Sequence, residues 1–160
     1  MFIFLQLFIG VSVFVHAQQF ISDKPQANSF SFTDAAVYTD VNDYTTVQAA
    51  ASLLRQDMKM VTGKEPQLVS QPTAASKTII IIGSLDKSSL IKQLVEKKQI
   101  NITAIKGKSE AYQLQTISNP FKGVDNAIVI AGNDRRGTAF GVFELSKQIG
   151  VSPWYWSRQI

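Results

Sequence analysis

The chain has 160 residues, 45% of them hydrophobic and 18% charged, a globular balance that excludes disordered and fibrous classes. There is no cysteine, so disulfide staples, thiol nucleophiles and thiolate metal sites are excluded. The formal charge is +4, but the lysines are spread thinly apart from Lys97-Lys98 and are not interleaved with aromatics, which argues against nucleic-acid binding.

Residues 1–17 form an apolar run that is short for a membrane span and ends in Val15-His16-Ala17. This pattern predicts a signal peptide cleaved after Ala17, although no Lys or Arg precedes the run; an uncleaved anchor is the alternative. Nothing later in the chain is apolar enough to span a bilayer. The expected location is secreted or periplasmic, with no membrane contact after cleavage. Cleavage also removes His16, the only histidine. The mature chain then has carboxylate, lysine, tyrosine and hydroxyl chemistry available, and no metal or cofactor is expected.

Residues 18–28 are polar, include Pro25, and read as a leader or linker. Phe30 and Phe32 alternate with Ser31 and Thr33 as in a strand, and Ala36-Val37-Tyr38-Thr39 reads as a second strand. Asp40, Asn42 and Asp43 mark a turn. Thr45 or Thr46 is the expected cap of a helix whose stripe is Val47, Ala50, Ala51, Leu54, Met58 and Val61, closed by Gly63 and Pro66.

Gln67-Leu68-Val69 is a short strand. Thr78-Ile79-Ile80-Ile81-Ile82 is the strongest strand and is expected to be covered on both faces. A helix follows from Ser88 or Ser89, with Leu90, Ile91, Leu94 and Val95 apolar and Lys97-Lys98 in its last turn. A strand around Tyr112, Leu114, Thr116 and Ser118 ends at an Asn119-Pro120 turn, and Ala127-Ile128-Val129-Ile130-Ala131 is a second buried strand. A last helix is expected over residues 135–149, with Ala139, Val142, Phe143 and Ile149 in the core and Gly150 at its end. Alternating strands and helices predict an α/β fold, and the short turns predict a mixed sheet with packed helices.

Gly132-Asn133-Asp134-Arg135-Arg136-Gly137-Thr138 is the sharpest local feature. Its two glycines have the spacing of a phosphate loop, but Thr138 stands where the lysine belongs, and Asp134 breaks the dinucleotide pattern. Two readings stay open: a tight turn in which Asn133 or Asp134 caps the helix, or a substrate edge or interface built from Asn133, Asp134 and Arg135. Glu144 reads as a surface or interface charge. Asp134 has no evident partner for a glycosidase carboxylate pair, because Asp40, Asp43, Asp57, Asp86 and Asp125 read as solvated. Trp154 and Trp156, with Tyr155, are suited either to stacking on sugar rings or to packing against a further domain.

Several stretches resemble family 115 of the glycoside hydrolases, the xylan α-glucuronidases. They are residues 49–66 with Val61-Thr62-Gly63-Lys64; residues 80–91 with Ile82-Gly83-Ser84-Leu85; Ala104-Ile105-Lys106-Gly107-Lys108-Ser109-Glu110; and residues 129–156, from Ala131-Gly132-Asn133-Asp134-Arg135-Arg136-Gly137-Thr138 to Pro153-Trp154-Tyr155-Trp156. The resemblance implies an α/β accessory domain over residues 29–152, similar to the one preceding the barrel in β-hexosaminidases. It also implies a following catalytic barrel as partner, which carries the catalytic acids, and xylan-type polysaccharide as substrate. No catalytic residue is carried onto this chain. Residues 153–160 are expected to be the truncated start of the linker to that barrel, since Ser157-Arg158-Gln159-Ile160 departs from the family pattern; a gene fragment or frameshift product is the corresponding expectation. The other class of function compatible with these residues is a standalone exported binding module for acidic glycans.

Overall fold

The continuous β-branched run of residues 78–82 lies in Thr78–Ser84, the central strand of a five-stranded sheet. A computed structural model describes residues 31, 33–71 and 76–151. In chain order its elements are β1 (Ala36–Thr39), α1 (Thr45–Thr62), β2 (Leu68–Val69), β3 (Thr78–Ser84), α2 (Ser89–Glu96), β4 (Tyr112–Phe121), β5 (Val124–Gly132) and α3 (Arg135–Gln148). The strand order is β2-β1-β3-β5-β4. β2, β1, β3 and β5 are parallel, and β4 runs antiparallel to β5, so the sheet is mixed, as the short turns predict.

Every residue of β3 is buried because both sheet faces are covered. Ile80 and Ile82, with Ile128 and Ile130 of β5, face α1 and α3 and meet Leu54, Met58, Val142 and Leu145. Ile79 and Ile81, with Ala127 and Val129, face the other way, onto Leu90, Ile91 and Leu94 of α2 and onto Ile100 and Ile105. The period of two along each strand thus feeds two separate cores.

The helices differ from expectation in instructive places. α1 begins after Tyr44, whose side chain makes no capping bond; neither Thr45 nor Thr46 is the cap. Instead the Asp43 carboxylate accepts from Tyr44 N at 2.8 Å, and Gln48 Nε2 donates back to the carbonyls of Val41 and Asp43 at 2.9 and 3.1 Å. Gly63 closes α1 in the left-handed conformation at φ 76°, as predicted. Val61 lies in the last turn and is exposed, because the sheet no longer lies beneath it. Ser88 caps α2 by accepting from Ile91 N, and the helix stops at Glu96, before Lys97-Lys98. On α3, Ala139, Val142 and Ile149 are buried but Phe143 is exposed; Leu145 takes the core position. A full turn of α3 offers only one face to the sheet, and Gly141 and Val142 already occupy it.

Asn119-Pro120 is not the end of β4. The strand runs through it to Phe121, with a register irregularity between Ser118 and Phe121 and Asn119 at φ 51°. The chain reverses at residues 122–123 instead, where Gly123 supplies φ 89°. A proline is tolerated there because β4 is an edge strand. The strand expected at Phe30 and Phe32 lies outside the described residues.

Candidate functional site

The carboxyl ends of β1, β3 and β5 open on one edge of the sheet, and the polar residues singled out from the sequence gather there. In open α/β sheets this is the edge where ligands bind. Helix α1 leaves β1 on one face and α2 leaves β3 on the other, so the chain's change of direction falls between these two strands.

Asp134 is the N-cap of α3. Its Oδ1 accepts from Arg136 N and Gly137 N, both at 2.9 Å, and its Oδ2 accepts from Glu110 N at 2.7 Å. Asn133 Oδ1 accepts from Gly107 N at 2.8 Å, and Asn133 N donates to the Ala111 carbonyl at 2.8 Å. Together the two side chains clamp residues 107–111 onto the strand–helix junction. The bond from Gly137 N, then that from Glu110 N, holds the Asp134 carboxyl below the ordinary carboxylate range.

The glycine spacing of this turn has a packing cause. A Cβ on Gly132 would stand 2.2 Å from Thr138 N, and one on Gly137 would stand 2.4 Å from the Ala111 carbonyl oxygen. Both positions need a bare backbone for α3 to close on β5 and on the 107–111 loop.

Arg135 and Arg136 diverge in role. Arg136 pairs with Glu110 at 2.9 Å. Arg135 is exposed and forms no ion pair among the described residues. It lies close enough to Tyr44 to bias that phenol electrostatically. The Tyr44 hydroxyl donates to Asp86, and the Lys87 ammonium sits 5.6 Å from the Tyr44 ring centre. Arg135, Lys87 and Tyr44 therefore share one stretch of surface, with Asp86 as its carboxylate.

Three aspartates were misjudged from the sequence as solvated. Asp40, Asp43 and Asp57 are 5%, 5% and 7% exposed. Asp40 Oδ2 accepts from Ser89 N at 2.9 Å and Ser89 Oγ at 2.6 Å, and its Oδ1 accepts from Asn42 N at 3.0 Å. Burial pushes the Asp40 carboxyl up, but the bonds from Ser89 and Asn42 outweigh it and the net direction is down. Asp43 accepts from Ser84 N and Ser84 Oγ, both at 2.8 Å, and so ties α1 to the end of β3. A glycosidase general acid needs a carboxyl held high. Asp40, Asp86 and Asp134 are held low. Glu144 is half-buried on α3 and accepts from Gln148 Nε2 at 3.0 Å. Ala17, Trp154 and Trp156 lie outside the described residues.

No group of three or more potential metal-ligating side chains occurs among the described residues. No helix among them is long and apolar enough to cross a membrane.

The fold is that of an α/β domain, a mixed five-stranded sheet flanked by three helices. Residues 19–145 match the family model described as "Glycosyl hydrolase family 67 N-terminus", and the chain belongs to that family. Among solved structures it is similar to a family GH115 4-O-methyl-α-glucuronidase with specificity for decorated arabinogalactans. The identity is 28% and the TM-score 0.62, over 78% of this chain. The chain spans 14% of that glucuronidase's length. The resemblance to family 115 in the sequence is thus matched in three dimensions. No curated protein sequence matches the chain.

Proposed function

We propose that the chain is the N-terminal, non-catalytic domain of an exported α-glucuronidase acting on xylan-type polysaccharide. The family match over residues 19–145 carries this reading. Two structural observations support it. The carboxylates at the sheet edge are spent on backbone N–H groups, which suits them to holding the fold rather than to proton transfer. Phe140 and Phe143, one turn apart on α3, and Leu53 and Met60, two turns apart on α1, are exposed at 39–47%. Large apolar side chains left outside a well-filled core suit a surface that packs on a catalytic domain.

A second reading rests on Arg135. A guanidinium without an ion pair among the described residues, beside Lys87 and Tyr44, is suited to a sugar carboxylate. It makes this edge a contact for acidic glycans, within the longer enzyme or alone.

One experiment separates the two. The full chain, produced with its leader and recovered after export, is titrated calorimetrically with glucuronoxylan oligosaccharides while released glucuronic acid is assayed. The accessory-domain reading expects neither heat nor release. Binding without release, weakened by Arg135→Ala, selects the acidic-glycan reading. Release of the acid overturns the non-catalytic assignment.

A further inference from the structure

At the β2 side of the sheet's carboxyl edge, away from Asn133, Asp134 and Arg135, two clefts meet. The larger, of ≈ 420 Å³, is lined by Asp40, Asn42, Ser70, Gln71, Ser89 and Gln93, among others. The smaller, of ≈ 300 Å³, is lined by Thr39, Gln48, Ser52 and Leu68, among others. Val41 and Ser70 line both, so the two form one groove that passes over the end of β1.

The chemistry of this groove is uniform. Apart from Asp40, its polar side chains are hydroxyls and carboxamides, and among the described residues neither cleft is lined by a lysine or an arginine. Its one carboxylate, Asp40, already accepts three hydrogen bonds and still repels an anion. The hydroxyl of Thr39 is buried beneath the smaller cleft and has no hydrogen-bond partner among the described residues, an arrangement that leaves a polar atom unsatisfied. Val41 is 68% exposed and Leu68 42% exposed, and they provide an apolar ridge within this polar lining. A pyranose offers the matching pattern: hydroxyls that both donate and accept around its rim, and C–H groups on its faces. An anionic sugar fits less well, because none of the described lining residues compensates its charge.

An extended peptide is the competing occupant, since β2 is an edge strand. β2 has only two residues, Leu68 and Val69, too few to template another strand.

We infer that this groove is a subsite for a neutral saccharide segment, separate from the Arg135 edge. The inference stands on the lining of the groove and survives if the parent enzyme is assigned wrongly.

The test follows amide resonances of the full chain, recovered after export, on titration with neutral xylohexaose and with a neutral galacto-oligosaccharide. Shifts at Val41, Ser52 and Ser70 with either sugar, in the millimolar range, are expected; each tenfold change in Kd corresponds to about 1.4 kcal/mol. Val41→Asp puts a charge on an exposed position that the core does not need, so it should weaken binding at least about tenfold without moving the Tm. Ser52→Trp, which fills the smaller cleft, should do the same. Arg135→Ala should leave neutral-sugar binding unchanged. Absence of shifts with both sugars overturns the inference. So do shifts that need a uronate and vanish in Arg135→Ala, or shifts produced by a serine- and threonine-rich peptide but not by either sugar.

Discussion

Two junctions at the carboxyl edge of the sheet use the same device and differ in how they announce it. At the end of β5, Asp134 caps α3 and holds the 107–111 loop through Glu110 N. At the end of β1, Asp40 grips the start of α2 through Ser89, and Asp43 grips the end of β3 through Ser84. In each case one short carboxylate satisfies free backbone N–H groups and pins two distant segments together. The first junction sits in a conspicuous glycine-spaced turn. The second sits in an unremarkable Asp-Val-Asn-Asp stretch, yet it is the more deeply buried of the two. Burial, and not motif sharpness, should therefore set the size of the response to mutation.

The largest expected effect is at the quiet junction. Asp43→Ala leaves Ser84 N buried without its acceptor and removes one acceptor from Ser84 Oγ, and Ser84 is 0% exposed. A loss of about 3 kcal/mol is expected from hydrogen bonds to a charged group and the unsatisfied donor left behind, measured by chemical denaturation. A loss below that of Asp134→Ala would break the comparison.

Gly137→Ala comes next. Its Cβ meets the Ala111 carbonyl oxygen, which is backbone and cannot swing away. Overpacking of this kind costs about 1–3 kcal/mol, and amide exchange should show it concentrated in residues 107–111 and α3. Asp134→Ala should cost about 1–2 kcal/mol, the usual range for a lost N-cap. Asp134→Asn should recover part of that, because a carboxamide oxygen still accepts from Gly137 N.

The pH response sharpens the comparison further. The carboxyls of Asp40, Asp86 and Asp134 are lower in the folded chain than their ordinary value of 3.8. A depressed carboxyl contributes stability that is fully present above its unfolded pKa and lost as pH falls through its folded value. Denaturation midpoints should therefore hold down to about pH 5 and fall below about pH 4, given an unfolded Asp pKa near 3.9. The decline should be shallower in Asp40→Asn and in Asp134→Asn. The smallest effect belongs to Arg135→Ala. Its side chain is exposed and forms no ion pair among the described residues, so stability should move by no more than about 0.5 kcal/mol.

Much of the layered architecture was legible because it rests on local periodicity. The isoleucine run named the central strand, the 3.6-residue stripe named α1, and Gly63 named its end. The failures came where a residue's fate is decided from afar. Asp40 meets Ser89 and Asp43 meets Ser84 across intervals of 49 and 41 residues, and no window along the chain reveals such partners. The N-cap of α1 falls on Tyr44 instead of Thr45 for a related reason: the turn before the helix is shaped by the bonds of Asp43 to Ser84 at the end of β3. Phe143 reads as core by hydropathy, but α3 has one buried face and Leu145 fills it. At the candidate site, Asn133, Asp134 and Arg135 were found through the glycines around them. The groove beside Val41 carries no motif, because hydroxyls and carboxamides gathered from β1, α1, α2 and the turns after β1 and β2 leave no spacing in the sequence.

The order of the strands also sets a timetable for synthesis. The β4–β5 hairpin closes across residues 122–123 and forms from neighbours, but β3 pairs on one side with β1 and on the other with β5, at Ala36↔Ile79 and Thr78↔Asn126. Its four isoleucines therefore leave the ribosome long before their second partner exists, and closing such long loops is slow. Until residue 132 has been made, the nascent chain carries a strongly β-forming segment with one edge still unpaired, which is prone to aggregate. A chain arranged in this way is most exposed to aggregation while it is being made, even though the finished fold is well packed.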